Sequence, residues 1–205
     1  MAAEKRALLI VEDEPDINDM YRDFCEIALQ ELPSEGLAVE GTVHQTFDYF
    51  ESECILRDQS IDFISIDIAL NEQEKKLIKE RNWRKEPGGI KILRGLHTLE
   101  RKPLSVIVTG KTLLPYATDA LHVHQVLAFY QKDEFDAERY KSAVKAALWY
   151  WHTVELVGRL DSHREVQVAE TSWNRTLQAA QVAGIPESSF PQAPRLKIES
   201  VRTQF

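Results

Sequence analysis

The segment Leu8-Leu9-Ile10-Val11-Glu12-Asp13-Glu14-Pro15 decides the fold. Its apolar run is too short for a helix and has no polar face, and it breaks at once into three acids and a proline. Such a run is a strand buried on both faces, as in a parallel sheet whose crossover helices cover each side. Pro15 sits where a helix can open without needing its amide donor. Ile17, Met20, Tyr21, Phe24, Ile27 and Ala28 then recur at helical spacing.

Three further runs repeat this design: Phe63-Ile64-Ser65-Ile66 ends on Asp67, Ser105-Val106-Ile107-Val108 on Thr109, and Val126-Leu127-Ala128-Phe129-Tyr130 leads to Lys132. Leu37 to Val43 reads as one more strand, and Phe47, Phe50, Cys54 and Ile55 mark the helix after it. Five βα units in this order fit an α/β fold, a doubly wound five-stranded parallel sheet of flavodoxin-like order 2-1-3-4-5. Ligands bind such sheets at the carboxyl ends of the strands, where Glu12, Asp13, Asp67, Thr109 and Lys132 would gather.

Asp13 and Asp67 then face one cleft. Three crowded carboxylates stay ionised at low cost only beside a cation, and hard oxygen donors with room for water suit Mg²⁺. An aspartate carboxylate can attack phosphorus to give an acyl phosphate. The metal and the Lys132 ammonium would neutralise the phosphoryl oxygens, and the Thr109 hydroxyl would donate to one of them.

Residues 71 to 89 form a segment crowded with both signs of charge, Lys75-Lys76 and Arg81 to Lys85 interleaved with Glu, expected as a solvated loop or short helix. Ile90, Leu93, Leu96 and Leu99 restore an apolar stripe. A modest helical pattern runs through Ala117, Ala120 and Leu121. Asp136 is placed to cap a long helix carrying Tyr140, Val144, Leu148 and the aromatic run Trp149-Tyr150-Trp151. Ser162 with Glu165 opens a second helix, ended by Gly184 and Pro186. The stretch with Pro186, Pro191 and Pro194 is expected to be irregular or loosely docked. The organisation is thus one domain over 1–150 and a helical extension over 151–205.

With 205 residues, a net charge of −8 and a pI near 5.3, the chain lacks the basic surface of a protein that coats nucleic acid. Cys25 and Cys54, both in apolar helical patterns, are expected to be buried thiols rather than a disulfide or zinc site. His122 and His124 find no ligand set around them. Acids interrupt the first apolar run and no stretch approaches the ~20 apolar residues of a membrane helix, so the protein is expected to be soluble and cytoplasmic.

In these residues the chain resembles the receiver domain of bacterial two-component response regulators. Leu8 to Pro15 is similar to the family's opening strand and acidic pair, Ile66-Asp67 to its phosphoacceptor, Val106 to Gly110 to the strand with the switch hydroxyl, and Phe129 to Lys132 to the strand ending in its lysine. The resemblance implies that Asp67 takes a phosphoryl group from a phosphohistidine on a sensor histidine kinase or phosphotransfer protein. It implies Mg²⁺ held by Asp13 and Asp67, by Glu12 through water and by the Ala69 backbone carbonyl. Thr109 and Phe129 would be the switch pair, and a homodimer would form through the long terminal helix or the face of the last two strands and helices.

The chain departs from the family at three points: Asn71 stands at a usual proline, Gly88-Gly89 follow only after the charged segment, and Asp133 stands where proline commonly follows the lysine. Lys111 and Ala69 occupy positions that influence phosphate lifetime in the family. The expected output is protein interaction through the extension, with no enzymatic activity beyond self-phosphorylation and self-dephosphorylation. Two alternatives are a Mg²⁺-dependent aspartyl-phosphate phosphohydrolase similar to haloacid dehalogenases, which wants an acid where Ala69 stands, and a DNA-binding regulator with an unrecognised output domain.

Overall fold

The computed structural model describes residues 3–79, 86–110, 123–160 and 163–202. Five parallel strands, β1 (Glu4–Val11), β2 (Val39–Thr46), β3 (Phe63–Ile66), β4 (Leu104–Thr109) and β5 (Ala128–Gln131), form one sheet in the order β2-β1-β3-β4-β5. This is the expected doubly wound topology. The register aligns Val11 with Ile66, Ile66 with Ile107 and Thr109 with Gln131, so the polar residues that end the strands emerge along one edge.

The period-two alternation of a strand divides the apolar runs between the two faces. Leu8, Ile10, Phe63, Val106 and Val108 join one core, whereas Leu9, Val11, Ile64, Ile66 and Ile107 join the other. Helices α1 (Pro15–Glu31) and α5 (Ala137–Val157) cover the first face. Helices α2 (Tyr49–Asp58) and α4 (Gly88–Leu96) cover the second. Pro15 opens α1, and the Asp136 carboxylate caps α5 by accepting from the amides of Glu138 and Arg139.

The charged segment contains a helix, α3 (Glu72–Lys79). Two helices follow α5: α6 (His163–Ala183) and α7 (Ala193–Arg202). Helix α6 runs along α5, with the Thr153 and Ser172 hydroxyls 2.8 Å apart between them. Tyr150 packs against both Trp173 and Phe190, while Trp151 donates to the Asp62 carbonyl at 2.7 Å beneath the sheet. The aromatic run therefore joins sheet and extension, and residue 150 falls inside a continuous helix and a continuous core. The α5 surface from which dimerisation was expected is partly covered by α6 of the same chain. Among the described residues, no helix is long and apolar enough to cross a membrane.

Three expectations need correction. The tail is not irregular: α7 forms with Pro194 in its first turn, where a missing amide costs nothing, and buries Ile198 and Val201. Helix α2 begins only after Asp48, whose carboxylate accepts from the Glu51 amide. Phe47 and Phe50 are consequently exposed, and Ser52, Ile55 and Leu56 form the inward side. Cys54 is exposed with them, whereas Cys25 is buried as expected. The pattern through Ala117, Ala120 and Leu121, the residues Lys111, His122 and Ser162, and the charges at Arg81 to Lys85 lie outside the described residues.

Candidate functional site

Asp67 leaves β3 at the centre of the sheet, and its buried carboxylate is held from two sides. The Thr109 hydroxyl donates to Asp67 Oδ1 at 2.6 Å. The Lys132 ammonium donates to Asp67 Oδ2 at 2.8 Å and to Glu12 Oε1 at 2.9 Å. Strand order brings these together: β1 and β3 are neighbours at the switch point, and β4 and β5 follow alongside. All five residues read from the strand endings converge within this one site.

Backbone contacts fix the acids. Buried Asn18 on α1 donates through Nδ2 to the carbonyls of Glu12 and Thr46, both at 2.9 Å, tying the end of β1 to the end of β2. Gly89, at the start of α4, packs directly on the Asp67 backbone: a Cβ there would lie 2.2 Å from the Asp67 carbonyl oxygen. Its amide donates to the Ile68 carbonyl at 3.0 Å. Gly88-Gly89 thus return to the end of β3 at Asp67 although the insertion separates them in sequence.

Burial and the neighbouring Asp67 charge push the Glu12 carboxyl up to about 7, against the opposing pull of Lys132. Burial works against the Lys132 ammonium, but Asp67 and Glu12 outweigh it and raise its affinity for the proton. Lys132 is therefore a permanent positive charge at the site. Glu12, Asp13 and Asp67 each offer a carboxylate oxygen, all within 4.8 Å of one another, the one such cluster of three among the described residues. Asp13 Oδ1 is buried and accepts no hydrogen bond. Hard oxygen donors in excess of the local positive charge, one of them unpartnered, fit a divalent cation such as Mg²⁺.

Phe129 is half-buried on β5 against the core that contains Ile66 and Ile107. Ala69 is buried beside the site, its amide 3.4 Å from Asp67 Oδ1. Three participants were not read from the sequence. Asn18 and Gly89 act through the backbone, and Lys75 from α3 reaches Asp13 Oδ2 at 3.0 Å and Glu14 Oε1 at 3.2 Å. A charged, solvated-looking segment gives no signal that one of its lysines turns inward.

No family model matches the chain, and no curated protein matches it. Among solved structures, it is similar to the signal receiver domain of an HD domain-containing protein from Pseudomonas fluorescens Pf-5, at 15% identity and a TM-score of 0.54, over 73% of this chain and 99% of that one. A sensor protein from Polaromonas sp. JS666 superposes at 14% identity and a TM-score of 0.51, covering 70% of this chain and 95% of its own. NtrX from Brucella abortus in complex with ADP matches at 21% identity and a TM-score of 0.52, over 83% of this chain and 33% of that one. The fold is that of a response-regulator receiver domain.

Proposed function

We propose that the chain is a response regulator of two-component phosphorelay signalling, with Asp67 as phosphoacceptor. The observation that carries this reading is the Asp67 carboxylate held jointly by Thr109 and Lys132 with Glu12 and Asp13 alongside. A phosphohistidine on a sensor kinase or phosphotransfer protein is the donor: an Asp67 oxygen forms the new P–O bond as the P–N bond breaks. Lys132 moves from the carboxylate to the phosphoryl oxygens and offsets their charge. The Thr109 hydroxyl donates to one of them, so a proton-donating contact already made to the carboxylate is transferred to the phosphoryl group.

Asp13, Asp67 and the Ala69 carbonyl would hold Mg²⁺ directly and Glu12 through water. When bound, the ion supplies the positive charge that lets three acids and a phosphoryl group share one cleft. Ala69 puts a methyl group where a phosphohydrolase would need its second acid. The protein accordingly acts as a cytoplasmic signalling protein and not as a turnover enzyme.

The output is protein interaction through the extension. Tyr130, two residues before Lys132, donates its hydroxyl to the carbonyl of Ala183, the last residue of α6, at 3.3 Å. Arg139 approaches the same carbonyl at 3.4 Å. Beside it Gly184 turns the chain at φ +72°, where a Cβ would strike the Arg139 guanidinium. The strand that carries Phe129 and leads into Lys132 is thus bonded to the extension. The phosphoacceptor reading is tested by incubating the protein with acetyl phosphate and Mg²⁺. Its intact mass is expected to rise by one phosphoryl group, with no rise for Asp67→Asn, and an unchanged wild-type mass would overturn it.

A further inference from the structure

The insertion after β3 is tied down at both ends by one side chain. Glu74 Oε2 accepts from the Leu70 amide, where the chain leaves the site, and from the Gly88 amide, where it returns, both at 3.0 Å. The Asn71 side chain accepts from the Glu74 amide at 2.9 Å. The start of α3 is therefore anchored beside the acidic cluster, and the residue after the clamp is Lys75.

The Lys75 ammonium sits among three carboxylates: Asp13 Oδ2 at 3.0 Å, Glu14 Oε1 at 3.2 Å and Glu72 Oε1 at 3.3 Å. Its side chain is only 24% exposed. Lys132 takes Glu12 and Asp67, and shares with Lys75 only Glu14 Oε1, 3.6 Å from its ammonium. Two ammonium groups bracket three acids, and Lys75 is the one that engages Asp13 while leaving Asp13 Oδ1 without a hydrogen bond. A divalent ion held by Asp13 and Asp67 needs the electron pairs of Asp13, and its charge repels an ammonium in contact with the same carboxylate.

We propose that Lys75 is an internal competitor of the divalent cation: a tethered ammonium that occupies Asp13 until the ion displaces it, so that metal entry and release of α3 from the site are one equilibrium. The inference rests on the metal-binding reading of Glu12, Asp13 and Asp67 given above. A tethered group of this kind acts at an effective concentration on the order of millimolar. Seated on Asp13, it lowers the apparent affinity of the site for the cation by the factor that favours the seated state, and so raises the free cation needed to fill the site. Linkage makes the effect reciprocal: whatever draws α3 away from Asp13 tightens cation binding, and the cation frees the insertion by the same factor.

The test is a calorimetric titration of Mg²⁺ into the full-length protein at low ionic strength. Lys75→Met keeps the aliphatic stem and removes the charge. It is expected to bind Mg²⁺ at least about tenfold more tightly than wild type, about 1.4 kcal/mol. Lys75→Arg keeps a cation at Asp13 and should bind as weakly as wild type. Lys76→Met removes an equal charge from the next position on α3 and should change affinity far less than Lys75→Met. Glu74→Ala, which cuts the clamp without touching the acids, should also bind more tightly than wild type, and gives an independent answer if Lys75→Met fails to fold. Equal affinity in wild type, Lys75→Met and Glu74→Ala would overturn the inference while leaving the metal site standing. Tightening by Lys76→Met as large as by Lys75→Met would overturn it too, reducing the effect to net charge. No Mg²⁺ binding by any of these proteins would overturn the inference and the metal reading together.

Discussion

The sheet carries a charged cluster at each end, and the two are built on opposite principles. At the amino end, buried Arg6 contacts Glu4, Asp62 and Glu155, while Arg101 also pairs with Asp62 and stacks on Trp151, its guanidinium carbon 4.0 Å from the ring centroid. His152 adds a bond to Glu4 at 2.6 Å. At the carboxyl end, acids outnumber the lysines that reach them, and a buried oxygen of Asp13 has no donor. Among the described residues, no buried carboxylate oxygen of the amino-end cluster lacks a donor, and such a cluster fastens the fold. One left with surplus acid is prepared for a cation from outside, and the sign of its imbalance names the ligand.

The largest expected contrast comes from removing one cation at each end. Arg6→Met leaves Asp62 buried with a reduced partner set and should cost about 3 kcal/mol in chemical denaturation, with no recovery on adding Mg²⁺. Lys132→Met leaves Asp67 and Glu12 facing each other and should cost a similar amount without divalent cation, but a good part should return with Mg²⁺. If Mg²⁺ rescues both variants or neither, the two clusters are not distinct in kind.

Next in size is a pH effect confined to the carboxyl end. The Glu12 carboxyl is raised from its ordinary 4.5 to about 7, so between those values the folded protein holds a proton that the unfolded chain has released. Stability contributed by this group is complete below about pH 4.5 and is lost as pH rises through about 7, a difference of about 3 kcal/mol. Without divalent cation, wild type should therefore lose stability between pH 5 and 8, and Glu12→Gln should flatten that slope and unfold later at pH 8. A slope unchanged by Glu12→Gln would assign it elsewhere.

Gly89→Ala forces a methyl group against the Asp67 backbone. It should cost about 1–3 kcal/mol and slow phosphoryl incorporation by displacing the acceptor, read by urea unfolding and by the rate of mass gain. The smallest effect expected is that of Tyr130→Phe, which removes the bond to Ala183. A loss of about 1 kcal/mol is predicted, with phosphoryl incorporation intact.

The five residues that converge at the candidate site are legible because they follow short apolar runs, and a parallel sheet leaves the carboxyl ends of its strands only one edge on which to meet. The participants contributed by backbone fit and by the insertion were hidden for different reasons. Gly89 matters through a close approach to Asp67 that no periodicity records. Lys75 faces the site because Glu74 bonds two amides eighteen positions apart in the chain, Leu70 and Gly88, a long-range contact invisible in a run of mixed charge. In sequence Pro191 and Pro194 look like helix breakers, yet Pro194 lies in the first turn of α7, which tolerates it. Ser52 took the inward place expected of Phe50 because its hydroxyl is satisfied by Thr46 Oγ1 at 2.8 Å and by the Asp48 carbonyl at 2.7 Å.

The central claim, that the surplus acid at the carboxyl end serves a phosphoryl group on Asp67, is tested most directly by fluorine NMR of the protein with beryllofluoride and Mg²⁺. The account predicts protein-bound fluoride resonances that require Mg²⁺ and vanish in Asp67→Asn. Their absence in the wild type, or their persistence in Asp67→Asn, would contradict it.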